Sequence, residues 1–120
     1  MAEYTGPERR KNPRINARFI VSYRIVEEEN NIDISQTKNL GRGGMLLTTN
    51  RAFNEGTRLA LEIRLPFDSN PITIIGSVVG SKEVTRGLIY DTRLEFISVD
   101  ARHLKIITDT VDCYKRKECK

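Results

Sequence analysis

The stretch TRLALEIRL, residues 57–65, alternates without a break: Leu59, Leu61, Ile63 and Leu65 fall on one face, Arg58, Ala60, Glu62 and Arg64 on the other. A period of two, apolar on one side and largely charged on the other, marks a half-buried antiparallel strand with a solvated outer face. Pro66 and the run Asp68-Ser69-Asn70-Pro71 end it. Upstream, FIVSYRIV (residues 19–26) is β-branched and aromatic, with Phe19, Val21, Tyr23 and Ile25 on one face, and the acidic and Asn residues 27–31 form the turn after it. Residues 32–38 and 45–49 read as shorter strands. Residues 72–79 and 88–97 read as two more, joined across Gly80–Gly87, with Leu88, Tyr90, Thr92, Leu94 and Phe96 sharing a face.

Beyond Phe96 the period changes. Leu104, Ile107, Val111 and Tyr114 recur at spacings of three, four and three, one stripe of a helix. Ser98 or Asp100 is placed to cap its N-terminus, and Lys115, Arg116 and Lys117 suit its C-terminal end. About six short strands at regular intervals followed by one helix predict a mainly β chain folded as a small antiparallel barrel. The helix stripe covers an open end or flank of that barrel.

At 120 residues the chain has room for one domain and a modest core. It has no Trp and only four Tyr and four Phe, so that core rests on Ile, Leu and Val. No run approaches the roughly 18–20 apolar residues that span a bilayer. The N-terminal MAEYTGPERRKNPR has no apolar stretch behind its charges, against a secretory signal. Cys113 and Cys119 stand six apart, neither a disulfide framework nor a metal-ligand spacing. Two free thiols in a reducing cytoplasm are the expectation.

Charge is unevenly spread. Residues 1–18 carry five Arg/Lys against two Glu, and residues 101–120 carry six basic against three acidic side chains. The middle, with nine basic and eleven acidic groups, is slightly negative. Basic ends on an acidic body point to an anionic partner. Catalysis has little to stand on, because His103 is the one histidine and a histidine metal cluster cannot be built from it. No enzymatic activity, metal or cofactor is expected.

Two local features remain. Glu8-Arg9-Arg10-Lys11-Asn12-Pro13-Arg14 is a basic loop immediately before the first strand, and Pro13 disfavours helix there. Its guanidinium groups suit phosphate oxygens or a guanine edge, each with two parallel hydrogen bonds. Alone, such a run is most simply a solvated arm. The second feature is Asn39-Leu40-Gly41-Arg42-Gly43-Gly44, between two strands. Its glycines admit positive φ and close approach of a ligand, and the Asn39 amide matches a nucleobase edge. Alone, it is most simply a strand-connecting turn. It lacks the Gly-Lys-Ser/Thr ending of a phosphate-binding Walker loop, and no helix pattern follows it.

Together the two features resemble the PilZ domain family, in which an Arg-x-x-x-Arg loop precedes the first strand and an Asp/Asn-x-Ser-x-x-Gly turn follows some 20–30 residues later. Arg10 to Arg14 supply the first motif, preceded by Arg9, and Asn39 to Gly44 the second. The strand order, the closing Leu94-Glu95-Phe96 strand and the terminal helix extend the resemblance over nearly the whole chain. It implies a six-stranded antiparallel barrel with a C-terminal helix that binds cyclic di-GMP, a bacterial second messenger. By position, Arg9, Arg10 and Arg14 clamp the ligand, Asn39 reads a base edge and Gly44 permits close approach. Gly41 stands where the family has serine, which removes one hydroxyl contact.

The expected organisation is an N-terminal tail (1–8), then a domain over 9–120 with a loop clamp (9–18), barrel (19–97) and helix (99–117). The expected role is a cytoplasmic cyclic di-GMP receptor or adaptor acting on an unnamed downstream protein, with a PilZ-like protein-interaction scaffold of little nucleotide affinity as the alternative. A nucleic-acid-binding barrel fits the pI near 9.3, but the strands offer no exposed aromatic platform on which bases stack.

Overall fold

Alternating strands need a common interior. In the computed structural model, which describes residues 14–28, 30–66 and 70–116, six of them close around one. The strands are β1 (Arg14–Ile15), β2 (Ile20–Ile25), β3 (Asp33–Gly41), β4 (Gly44–Thr49), β5 (Arg58–Ile63), β6 (Ile72–Thr85) and β7 (Ile89–Val99), followed by the helix α1 (Ala101–Lys115). The order is β1-β3-β2-β5-β6-β7-β4, and β3 also pairs with β4, so β2 to β7 form a closed antiparallel barrel with β1 as a short addition. Closure leaves the sheet without long open edges.

The inward face is the one the alternation marks. Leu59, Leu61, Ile63 and Leu65 are buried together with Val21, Tyr23, Leu40, Met45, Leu47, Ile72, Ile74, Val78 and Leu94. Arg58, Glu62 and Arg64 face solvent. The Asp100 carboxylate caps α1, accepting from the Arg102 amide at 2.8 Å. Ile107 and Val111 are buried, and Tyr114 meets Phe19 edge-on at 5.6 Å. The helix lies beside β1 and β3.

β1 and β2 are two halves of one interrupted strand. Arg14 and Ile15 pair with Gly41 and Leu40, whereas Ile20 resumes pairing at Gln36. The residues between leave the ladder, and their backbone groups need partners. Thr37, fully buried, supplies them. Its hydroxyl accepts from the Phe19 amide at 3.0 Å and donates to the Ala17 carbonyl at 2.6 Å, and its own amide donates to the Phe19 carbonyl at 3.0 Å.

A second polar run ties β4, β6 and β7 to the segment after β4. Thr49 donates to the Arg51 carbonyl at 2.8 Å, which directs the remaining protons. Thr92 then donates to Thr49 at 2.9 Å, Ser81 donates to Thr92 at 2.7 Å, and the Phe53 amide donates to Ser81 at 3.0 Å. The chain satisfies the buried hydroxyls of Thr49 and Thr92.

Three expectations change. β6 does not stop at Gly80 but runs to Thr85, and the turn comes at Arg86–Leu88, where Gly87 has φ 70° and the Glu83 carboxylate accepts from its amide at 2.8 Å. Gly80 is a seat for the Arg93 guanidinium, whose Nη2 lies 3.0 Å from the place a Cβ would take. Leu88, in that turn, is exposed and does not join the face of Thr92 and Leu94. Cys113 is disulfide-bonded rather than a free thiol. Helical spacing gave no sign of it, because α1 ends at Lys115, before Cys119, which lies outside the described residues. The inference of a reducing compartment from free thiols lapses with it.

Thr37→Val keeps the shape and removes the hydroxyl, leaving the Phe19 amide and Ala17 carbonyl unpaired. The expected loss is about 2–3 kcal/mol in urea unfolding, with Thr37→Ser retaining most of the stability.

Candidate functional site

The Asn39–Gly44 segment is mostly strand: Asn39, Leu40 and Gly41 end β3, Gly44 begins β4, and only Arg42 and Gly43 turn. Among the described residues positive φ occurs at Gly56 and Gly87. The glycines of this hairpin therefore do not serve left-handed backbone, and Gly44 provides close approach instead. A Cβ on Gly44 would overlap the Leu94 carbonyl oxygen and lie 2.9 Å from Arg14 Nη2. Cross-strand pairing with Glu95 and the guanidinium beside it both need the missing side chain.

β1 brings Arg14 to this hairpin. Because Arg14 is opposite Gly41 and Ile15 opposite Leu40, the alternation sends Ile15 into the core and Arg14 outward. There Arg14 Nη1 donates to Asn39 Oδ1 at 3.1 Å. With Oδ1 engaged, the Asn39 amino group is left to donate, which suits an acceptor such as the O6 and N7 edge of a purine. On the same outer face Asn39 stands opposite Leu46, which stands opposite Arg93. Lys38, at the register shift after Thr37, pairs with Asp91 at 2.8 Å and borders the patch.

Four of the six residues singled out from sequence thus lie together: Arg14, Asn39, Gly41 and Gly44. Arg9 and Arg10 lie outside the described residues. Leu46, beside Asn39, and Arg93, one strand further on, were not foreseen, because only the β3–β4–β7 register brings them onto this wall. The site is an open wall, not a hollow. An open groove of about 510 Å3 lies elsewhere, on the outer face of β2, β5 and β6, between Ile32 and His103. None of the six residues lines it.

The model of the PilZ domain family matches residues 8–112. The chain is a PilZ domain. Solved PilZ structures share its fold at low identity. The inhibitor of motility from Bacillus subtilis (MotI/DgrA) superposes with a TM-score of 0.78 at 18% identity, over 93% of this chain and 53% of its own. The PilZ domain of YcgR from Escherichia coli, solved with c-di-GMP, gives 0.63 at 19%, over 92% and 97%. The MrkH–c-di-GMP complex of K. pneumonia gives 0.69 at 18%, over 92% and 56%. The chain thus spans about half the length of MotI and MrkH, and nearly all of the isolated YcgR domain. No curated protein matches it by sequence. PilZ domains form a family of c-di-GMP receptors, and no described helix of this one is long and apolar enough to cross a membrane.

Gly44→Ala is expected to cost about 1–3 kcal/mol through overpacking against the Leu94 carbonyl, read by thermal or urea unfolding. It also pushes the Arg14 guanidinium away from Asn39, seen as a shift of the Arg14 Nε–H resonance.

Proposed function

We propose that this PilZ domain is a receptor for cyclic di-GMP and that its ligand is held on the outer wall where Arg14 meets Asn39. The observation that carries this is the 3.1 Å bond between those two side chains beside the bare backbone of Gly44. The bond fixes the guanidinium on the outer wall, where its charge suits an anion, and leaves the Asn39 amino group to meet a base. A phosphate meets the Arg14 guanidinium in a charge-assisted pair. Gly41 and Gly44 let the ligand lie against the strands. Arg9 and Arg10 complete the clamp from the N-terminal side, ahead of Arg14, which β1 already holds against β3.

No bond is made or broken, and no cofactor takes part. Ligand binding orders the N-terminal arm, and the ordered arm presents a different surface to a downstream protein. A receptor for an intracellular messenger acts in the cytoplasm. Gly41 favours a second reading, a PilZ scaffold of little nucleotide affinity that recognises protein alone. One contact from the motif hydroxyl is absent, and a hydrogen bond to a charged group is worth about 1.5–3 kcal/mol.

Isothermal titration of the purified chain with cyclic di-GMP separates the two readings. The receptor binds at micromolar ligand or tighter. Arg14→Ala weakens binding roughly 10- to 150-fold, Arg102→Ala at the start of the helix leaves it unchanged, and Gly41→Ser tightens it. No heat at high micromolar ligand, with the fold intact, selects the scaffold.

A further inference from the structure

The arrangement of a guanidinium laid on a glycine occurs twice on the outer wall. Arg14 Nη2 sits 2.9 Å from the Cβ position of Gly44, and Arg93 Nη2 sits 3.0 Å from that of Gly80. Arg93 is exposed on β7, and among the described residues no hydrogen bond or ion pair engages it. Register puts it opposite Leu46, which is opposite Asn39, so the Arg93 backbone stands two strands from Asn39, about 10 Å away, with its guanidinium turned outward over Gly80 on β6. Between them the half-buried Leu46 offers an apolar floor. Asp91 and Glu95 flank Arg93 on the same face. Asp91 is held by Lys38 at 2.8 Å, and Glu95 lies opposite Gly44.

A lone guanidinium beside a carboxylate is a poor phosphate site, because the carboxylate repels the anion. It is a good guanine site. Guanine presents two acceptors, O6 and N7, that an arginine fork matches bidentately. Along its neighbouring edge it presents the N1 and N2 donors, which a carboxylate accepts. Adenine reverses this, with an amino donor at position 6 and an acceptor at N1, so both contacts fail.

We propose that Arg93 and Glu95 form a guanine-reading pair at the far side of the Asn39 site, with Gly80 as the seat that lets the Arg93 fork come close against β6. This rests on the cyclic dinucleotide reading above and assigns its base selectivity to β7. Phosphate is left to Arg14 and the N-terminal arm.

The test is titration of the intact chain with cyclic di-GMP and cyclic di-AMP, alongside Arg93→Ala, Arg93→Lys, Glu95→Gln and Gly80→Val, with Lys82→Ala as the neutral control and thermal melts confirming each fold. Arg93→Ala and Glu95→Gln are expected to lower cyclic di-GMP affinity about 5- to 150-fold, the equivalent of ~1–3 kcal/mol per bidentate contact, and to leave the weaker cyclic di-AMP binding unchanged. Arg93→Lys keeps the charge without the fork and does not restore selectivity. Gly80→Val pushes the guanidinium off its seat and lowers cyclic di-GMP affinity in the same direction. If Gly80→Val fails to fold, Arg93→Ala decides alone. Equal losses for both dinucleotides, or wild-type selectivity in Arg93→Ala, overturn the pair while leaving the receptor intact. Failure of the wild type to bind cyclic di-GMP overturns both together.

Discussion

The Thr37 hydroxyl is the contact on which the outer wall depends. A strand pairing continuously with β3 would carry its residues past Asn39 in one register. Instead the chain leaves the ladder after Ile15 and rejoins it at Ile20, and the interruption is tolerable only because Thr37 bonds both the Phe19 amide and the Ala17 carbonyl. Unpaired, those groups would each cost about 1–3 kcal/mol. With the break held, β1 keeps its own pairing to the end of β3, and alternation sends Ile15 inward and Arg14 out onto Asn39. One buried hydroxyl therefore links barrel closure to the placement of the site arginine.

The glycines complete the arrangement by what they leave out. At Gly44 the space of a missing side chain is shared by the Leu94 carbonyl and the Arg14 guanidinium, and at Gly80 by the Arg93 guanidinium. Long cationic side chains, otherwise costly to immobilise, approach the bare backbone with their guanidinium tips. The result is a shallow surface with oriented donors, unlike the groove over β2, β5 and β6. Recognition of a flat, rigid, dianionic nucleotide fits such a wall, since large planar groups make contact without a deep cavity.

Much of the barrel was legible because period-two alternation is a statement about burial, and Leu59 to Leu65 is buried where the pattern puts it. The helix was legible for the same reason, down to the Asp100 cap. What the sequence did not disclose depends on pairing between distant strands. Gly80 looked like a strand end, but it is part of a strand, and the guanidinium of an arginine thirteen positions later lies over it. Thr37 is one of many threonines until the register shows a broken strand beside it. Arg14, Asn39 and Gly44 were visible through motif spacing, whereas Leu46, Arg93 and Glu95 joined the same wall only through the order β3-β4-β7. The disulfide at Cys113 was hidden because its spacing crosses the end of the helix.

Similarity at 17–19% identity to MotI, YcgR and MrkH fixes the barrel and says little about which side chains of this chain touch a ligand. The central claim concerns those side chains: cyclic di-GMP lies on the wall formed by β3, β4 and β7, with Arg14 and Asn39 at its centre. Mapping amide and arginine Nε–H chemical shifts during a cyclic di-GMP titration tests it directly. The account predicts perturbations concentrated at Arg14, at Asn39 through Met45, and at Arg93. Shifts gathered instead around Ser22, Glu62 and Thr73 in the opposite groove, or no shifts at saturating ligand, would contradict it.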